Sequence, residues 1–192
     1  DMRDEETQGH SVRVLQYAMK LAKLLGITDS VKLKTLEYGS LLHDIGKIGI
    51  PDSILKKPSK LNDEEWKIMR THPRAGYKIL SNIKFLEEAS KIVLHHHENF
   101  DGTGYPDKLK KNDIPWAARI FSVADALDAM TSHRSYRDAL SFKEAEKELK
   151  QYSGTRFDPE VIEAFFSLTL EEWEQEGKKA GDKVNKYHSR NN

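Results

Sequence analysis

Histidines and carboxylates recur in this sequence at spacings that suit metal ligation. Residues 95–107 read HHHENFDGTGYPD, three histidines in a row, then a carboxylate and a glycine-rich turn. His43 and Asp44 are adjacent in LLHDIGK, with Lys47 one helical turn after His43. Glu6 and His10 stand four apart in EETQGH, which places both on one face of a helix. Asp125 lies in the small, apolar stretch SVADALDAMT with Asp128 three residues further on, and His72 follows Met69 by three. Each also has an ordinary reading: an exposed pair, a helix cap, a turn, a satisfied core histidine. Together, five of the eight histidines and three carboxylates fall at inward or helix-terminal positions of separate helices. Helical bundles build di-metal sites by projecting such side chains inward. Imidazole and carboxylate donors without sulfur suit Fe, Mn or Zn better than Ca or Cu(I). The set is too large for one tetrahedral ion, so two or three divalent ions are expected. Ions paired about 4 Å apart serve hydrolytic displacement at phosphorus. Lys47, with Arg134 and Arg137 in SHRSYRDAL, would then meet substrate phosphates, although the arginines read equally well as a surface helix start.

Helical register separates the three histidines. His96 follows Ile92 and Val93, and His97 follows Val93 and Leu94, by three or four residues, so both are predicted to point inward. His95 follows Glu88 and Lys91 and is predicted to face solvent, while Glu98 ends the helix.

The elements that must carry these residues are helical. Val14, Tyr17, Ala18, Leu21, Leu24 and Leu25 recur at helical spacing before Gly26, and Leu33, Leu36, Leu41 and Ile45 continue the theme until Pro51. Asn62 or Asp63 caps an amphipathic helix finishing near Pro73 with His72 at its end; further helices are predicted at 74–80, 84–98, 115–131, 141–152 and 158–167. No sustained period-two alternation appears, so the fold is predicted all-α, one domain over 1–170, followed by a helix end and tail over 171–192 that loses its apolar stripe after Trp173. Long loops at 46–61 and 99–114 are rich in Gly, Pro, Lys and Asp, a composition and length often tied to function.

Lys+Arg and Asp+Glu both number 31, a balance that argues against a protein that coats nucleic acid or binds membrane through a polybasic surface. The absence of cysteine excludes disulfides, thiolate metal sites and cysteine nucleophiles. No apolar run approaches the roughly 18 residues of a membrane helix, and no signal-peptide pattern opens the chain. The start at Asp1 rather than Met suggests a domain excised from a longer protein.

The motifs in their order resemble a known family. HDIGK is similar to the signature of HD metal-dependent phosphohydrolases, and HHHENFDGTGYP to the HHE-x-x-DG-x-GYP signature of their HD-GYP branch. KIGIPDSILKKPSKL, HPRAGYKIL, IPWAARIFSVADALDAMTSHRSYR and GTRFDPEVIEAF extend the resemblance over about residues 4 to 168. Asn99 and Phe100 stand where Arg and Trp are more usual, and His95 is extra. The resemblance implies a compact HD-type helical bundle with a metal site in its core and a long GYP loop. It implies a phosphodiesterase that hydrolyses the bacterial second messenger cyclic di-GMP to pGpG or GMP, with iron the foremost metal and manganese an alternative. The implied ligands are Glu6, His10, His43, Asp44, His72, His96, His97 and Asp125. Asp44 and Lys47 are the implied catalytic residues, and Lys47, Tyr105, Arg134 and Arg137 the implied contacts to substrate. Glu6 and His10 supply the extra ligands for a third ion. A sensor or receiver domain ahead of the chain, diguanylate cyclases or adaptors as partners of the GYP loop, and a cytoplasmic location are also implied. Competing readings are an HD phosphohydrolase for other nucleotides and a catalytically weak module acting through protein partners.

Overall fold

The computed structural model describes residues 9–132 and 139–188, with side chains through Ala180. Among the described residues there is no β-strand, only a single bridge between Ser153 and Phe157. Helix α1 (His10–Leu24) buries Val14, Tyr17, Ala18, Leu21 and Ala22. Helix α2 (Ser30–Leu42) starts where Asp29 accepts the Lys32 N–H at 2.8 Å. It stops earlier than its apolar pattern predicts. His43 and Asp44 occupy the bend between α2 and a 3-10 turn, Ile45–Gly49, so the pair sits at a helix end where both side chains can turn inward.

Helix α3 (Asp52–Leu55) is a single turn within the loop predicted at 46–61. Helix α4 (Asp63–Met69) is set by a capping box in which Asn62 and Glu65 each satisfy the other's backbone N–H. Helix α5 (His72–Leu80) then begins at His72, which therefore opens a helix rather than closing one. After a 3-10 turn, Lys84–Leu86, helix α6 (Glu87–His95) runs to the triple-histidine segment and ends inside it. Helices α7 (Trp116–Thr131), α8 (Phe142–Gln151) and α9 (Pro159–Phe165) agree with the predicted spans to within two residues at each end.

Helix α10 (Leu170–His188) differs from the expected helix end and tail. Its Trp173 is fully buried, stacked on Phe165 with ring centroids 5.0 Å apart and donating its Nε1–H to the Phe165 carbonyl at 3.0 Å. One large aromatic and Ala180 suffice to seat the helix on α1, because Gly177 lets the Tyr17 hydroxyl approach to where a Cβ would stand 2.3 Å away.

The main core surrounds α7, whose Ala118, Phe121, Val123, Ala124 and Leu127 are buried, with α1, α2, α6, α8 and α9 packed around it. A smaller cluster of Leu80, Leu86, Ala89 and Val93, packed by Tyr38, Leu42 and Ile45, ties α5 and α6 to the end of α2. Histidines fill the seam between the two cores: the Phe121 ring lies 4.8 Å from that of His43 and 5.8 Å from that of His96.

Candidate metal centre

Two triads of donors face one another in that seam. His72, from the start of α5, meets His96 and His97 from the end of α6; His10, from the start of α1, meets His43 and Asp125 of α7. Within each triad the donor atoms lie within 4.8 Å of one another. Asp44 joins the triads. Its Oδ2 is 3.2 Å from His43 Nε2, while its Oδ1 is 3.3 Å from His72 Nε2 and 3.9 Å from His96 Nε2. The Lys47 ammonium stands 2.9 Å from Asp44 Oδ2, at the rim of the centre.

The turn holding Asp44 can approach only because two glycines meet. A Cβ on Gly46 would lie 1.9 Å from the His72 carbonyl oxygen and 2.5 Å from the Gly76 nitrogen. The 3-10 turn is thereby pressed against the first turn of α5, which brings residues 44 and 72 together.

Backbone carbonyls fix the imidazoles. Nδ1 of His43 donates to Ser40 O at 2.9 Å, Nδ1 of His72 to Met69 O at 2.8 Å, and Nδ1 of His96 to Val93 O at 2.8 Å. A carbonyl has no proton to give, so each Nδ1 carries the hydrogen and the lone pair of a neutral ring is on Nε2. His10 is held by a carboxylate instead, its Nδ1 lying 2.7 Å from Asp128 Oδ2. Asp128 is buried, and also accepts from Arg13 Nε at 2.6 Å, Arg13 Nη2 at 3.1 Å and Ser132 Oγ at 3.1 Å. Partners of this kind orient metal-binding histidines and fix their tautomer.

Charge follows burial and neighbours. Burial pulls the His72 and His96 rings below their ordinary values, and pulls His97 down to about 3, so all three are neutral. Burial also lowers His10, but hydrogen bonds and attraction from Asp125 and Asp128 outweigh it and raise the ring to about 9. For Asp44 and Asp125 burial works upward and is overcome by the surrounding cations and donors: His43 and Lys47 hold Asp44 well below the usual range, and His10 leads in holding Asp125 there.

The donor set fits divalent metal. His72 Nε2 and His96 Nε2 face each other at 3.3 Å, two lone pairs with no hydrogen between them. Donors about 2.0–2.2 Å from one ion stand roughly 2.8–3.6 Å apart in octahedral or tetrahedral geometry. The 3.3 Å separations of His72–His96, His72–Asp44 and His10–Asp125 fall in that range.

Of the residues singled out from sequence, the structure brings together His10, His43, Asp44, His72, His96, His97 and Asp125, with Lys47 beside them. Glu6, Arg134 and Arg137 lie outside the described residues. Tyr105 stacks on His97, ring centroids 4.7 Å apart at 24°, and burial pushes its phenol up, keeping it protonated. The loop reaches this position because Gly104 has no side chain: a Cβ there would lie 2.3 Å from the Asn99 nitrogen.

His95 departs from expectation. The predicted solvent face is correct for Glu88 and Lys91, yet the His95 side chain is only 12% exposed. Helix α6 ends at His95, and the following loop returns over it so that Asp107 covers the ring. Register describes a helix face but not what folds across it.

A cavity of about 340 Å³ opens beside His97, Asp125 and Tyr105, and its walls include Arg70 and Arg156, two cations that sequence reasoning missed. Arg70 stands between two rings, 5.8 Å from the centroid of Trp66 and 5.4 Å from that of Tyr105. Its four-residue spacing from Trp66 was visible in the sequence; its proximity to Tyr105, and that of Arg156 to the cavity, is produced only by the fold.

A family model described as HD domain matches residues 1–161. A Thermotoga maritima protein named cyclic di-GMP phosphodiesterase is 43% identical over 173 residues, covering 89% of this chain and 47% of that relative. A Vibrio cholerae protein named 3'3'-cGAMP-specific phosphodiesterase 2 is 40% identical over 177 residues, covering 91% of this chain and 33% of that one. Among solved structures, Bd1817 from Bdellovibrio bacteriovorus, an HDG"Y"P protein, matches with a TM-score of 0.66 at 28% identity, over 81% of this chain and 49% of the other. The chain thus spans about half or less of the length of these relatives.

Proposed function

Since this chain belongs to the HD domain family, we propose that its centre is that of a phosphodiesterase cleaving cyclic dinucleotides, with cyclic di-GMP as substrate. The observation that carries the reading is the Asp44 carboxylate, with one oxygen toward His43 and the other toward His72 and His96. A carboxylate so placed, between two nitrogen-rich triads, suits a pair of ions rather than one. His72, His96 and His97 would hold one ion, His10, His43 and Asp125 another, and Asp44 both; Glu6, from the same N-terminal region as His10, is the candidate ligand for a third. Bound there, divalent ions such as iron or manganese would lower the pKa of water and neutralise charge developing at phosphorus.

The chain's own groups supply the rest. Lys47 Nζ, 2.9 Å from Asp44 Oδ2, places a positive charge at the edge of the centre where a phosphoryl oxygen would lie, and holds protons for a leaving oxygen. Arg70 and Arg156 offer guanidinium groups to the second phosphate or to base edges within the cavity. Tyr105 screens one face of His97 and presents a phenol that stays a donor. Arg134 and Arg137 remain assigned to substrate phosphates on the resemblance alone.

The test is turnover of cyclic di-GMP by protein loaded with iron or manganese, with pGpG and GMP separated by chromatography. Product formation that chelation abolishes supports the reading; no hydrolysis at full metal content overturns it. The relative named for 3'3'-cGAMP supports a second reading in which the hybrid dinucleotide is preferred, and the same assay with both substrates decides between them. Among the described residues no helix is long and apolar enough to cross a membrane. A soluble second messenger as substrate suits work in the cytoplasm, with diguanylate cyclases or adaptors at the GYP loop and a sensor or receiver domain in the full-length protein.

A further inference from the structure

We propose that His95, Glu98 and Asp107 form a separate divalent-cation site, suited to zinc, that clamps the GYP loop to the end of α6. The three residues offer donor atoms within 4.8 Å of one another, and none belongs to the centre described above. The Glu98 side chain is fully buried, and its Oε1 accepts the Asp107 N–H at 2.7 Å. Its Oε2 has no hydrogen-bond partner among the described residues, nor does the buried His95 Nδ1. A buried carboxylate oxygen and a buried ring nitrogen left unmatched are costly.

The spacing around the unmatched ring nitrogen shows what would match it. His95 Nδ1 is 3.8 Å from Glu98 Oε1 and 3.8 Å from Asp107 Oδ2, too far for hydrogen bonds. It is, however, a few tenths of an ångström above the upper end of the roughly 2.8–3.6 Å separating two donors of one ion with bonds of about 2.0–2.2 Å. Asp107 is held in place from its other side, where Oδ1 accepts from Arg74, which leaves Oδ2 facing His95. One imidazole and two carboxylates carry a charge of −2, of which Arg74 offsets one, so the pocket keeps a net negative charge that favours a cation. One nitrogen and two oxygens, with open positions for water, are donors that zinc accepts. Because Glu98 lies three residues past the end of α6 and Asp107 follows the GYP turn, an ion joining them would fix the two ends of the loop that carries Tyr105.

The site is tested by equilibrium dialysis of the chain and its variants against zinc, followed by elemental analysis. Wild type is expected to hold one more equivalent than either His95→Ala or Asp107→Asn, whereas His43→Ala should lose ions from the main centre and keep this one. Zinc-edge anomalous scattering from crystals should place a peak among the three side chains. Equal zinc content in wild type and both variants, or an ordered water in place of the peak, would overturn the proposal; Asp107→Asn lies near the surface and keeps the comparison valid if His95→Ala misfolds. The clamp is independent of the phosphodiesterase reading: zinc held here by a chain that leaves cyclic dinucleotides intact would refute that reading alone.

Discussion

His72 and His96 meet Nε2 to Nε2 at 3.3 Å while the Nδ1 of each donates to a carbonyl of its own local backbone. Neither ring can turn away without losing that bond. Replacing His72 with Ala should therefore remove an oriented donor and empty its triad, with loss of bound metal by elemental analysis and of metal-dependent hydrolysis. Retention of full metal content would refute the role of His72 as a ligand.

Asp128 touches no proposed ion directly but holds His10 at 2.7 Å. Asp128→Asn should keep the fold, checked by circular dichroism, and weaken metal affinity or activity by about 10–100-fold. Metal titration measures it; an unchanged affinity would refute the positioning of His10 by Asp128.

Raised to about 9, His10 carries a proton at neutral pH in the metal-free protein and must lose it to become a ligand. Metal uptake should thus release a proton, and affinity should climb with pH until about 9. Calorimetric titration in buffers of different ionisation enthalpy detects this. The stabilising contribution of the charged ring to the metal-free fold has the opposite trend: fully present below 6.5, it is lost as pH rises to about 9.

Gly46→Ala would set a methyl group 1.9 Å from the His72 carbonyl oxygen, a backbone atom that no rotamer change can move. We expect a loss of about 1–3 kcal/mol or more in denaturant titration. Metal affinity should fall with it, because the turn bearing Asp44 is pushed off α5.

Trp173→Ala tests whether α10 is part of the domain. The side chain is fully buried with its Nε1–H satisfied, so truncation should cost about 3–5 kcal/mol. A cost near zero in thermal or chemical unfolding would return the segment to the status of a tail.

Much of the cluster was legible because HHH, HD, His72 and Asp125 advertise themselves by type, at helix ends or, for Asp125, within an apolar helix. The all-helical fold was legible from apolar spacing. What the sequence concealed depended on long-range packing. The break of α2 at Leu42 comes just before the Gly46–Gly76 approach, which no local window contains. His95 is covered by Asp107, itself steered by Arg74 from another helix. Trp173 sits alone in a charged stretch, and periodicity cannot weigh a single large aromatic that fills a hole in another helix pair.

The donor side chains gathered around Asp44 come from positions 10, 43, 72, 96, 97 and 125, spread along more than half the chain. No excised peptide could reproduce that arrangement, since bringing such distant points together carries the loop-closure entropy of the whole domain. An ion bound there acts as a topological staple, and its dissociation constant reads out global folding as much as local coordination. Metal starvation would then lower the population of folded protein itself, so supply of the ion would govern the lifetime of the molecule as well as the proposed hydrolysis.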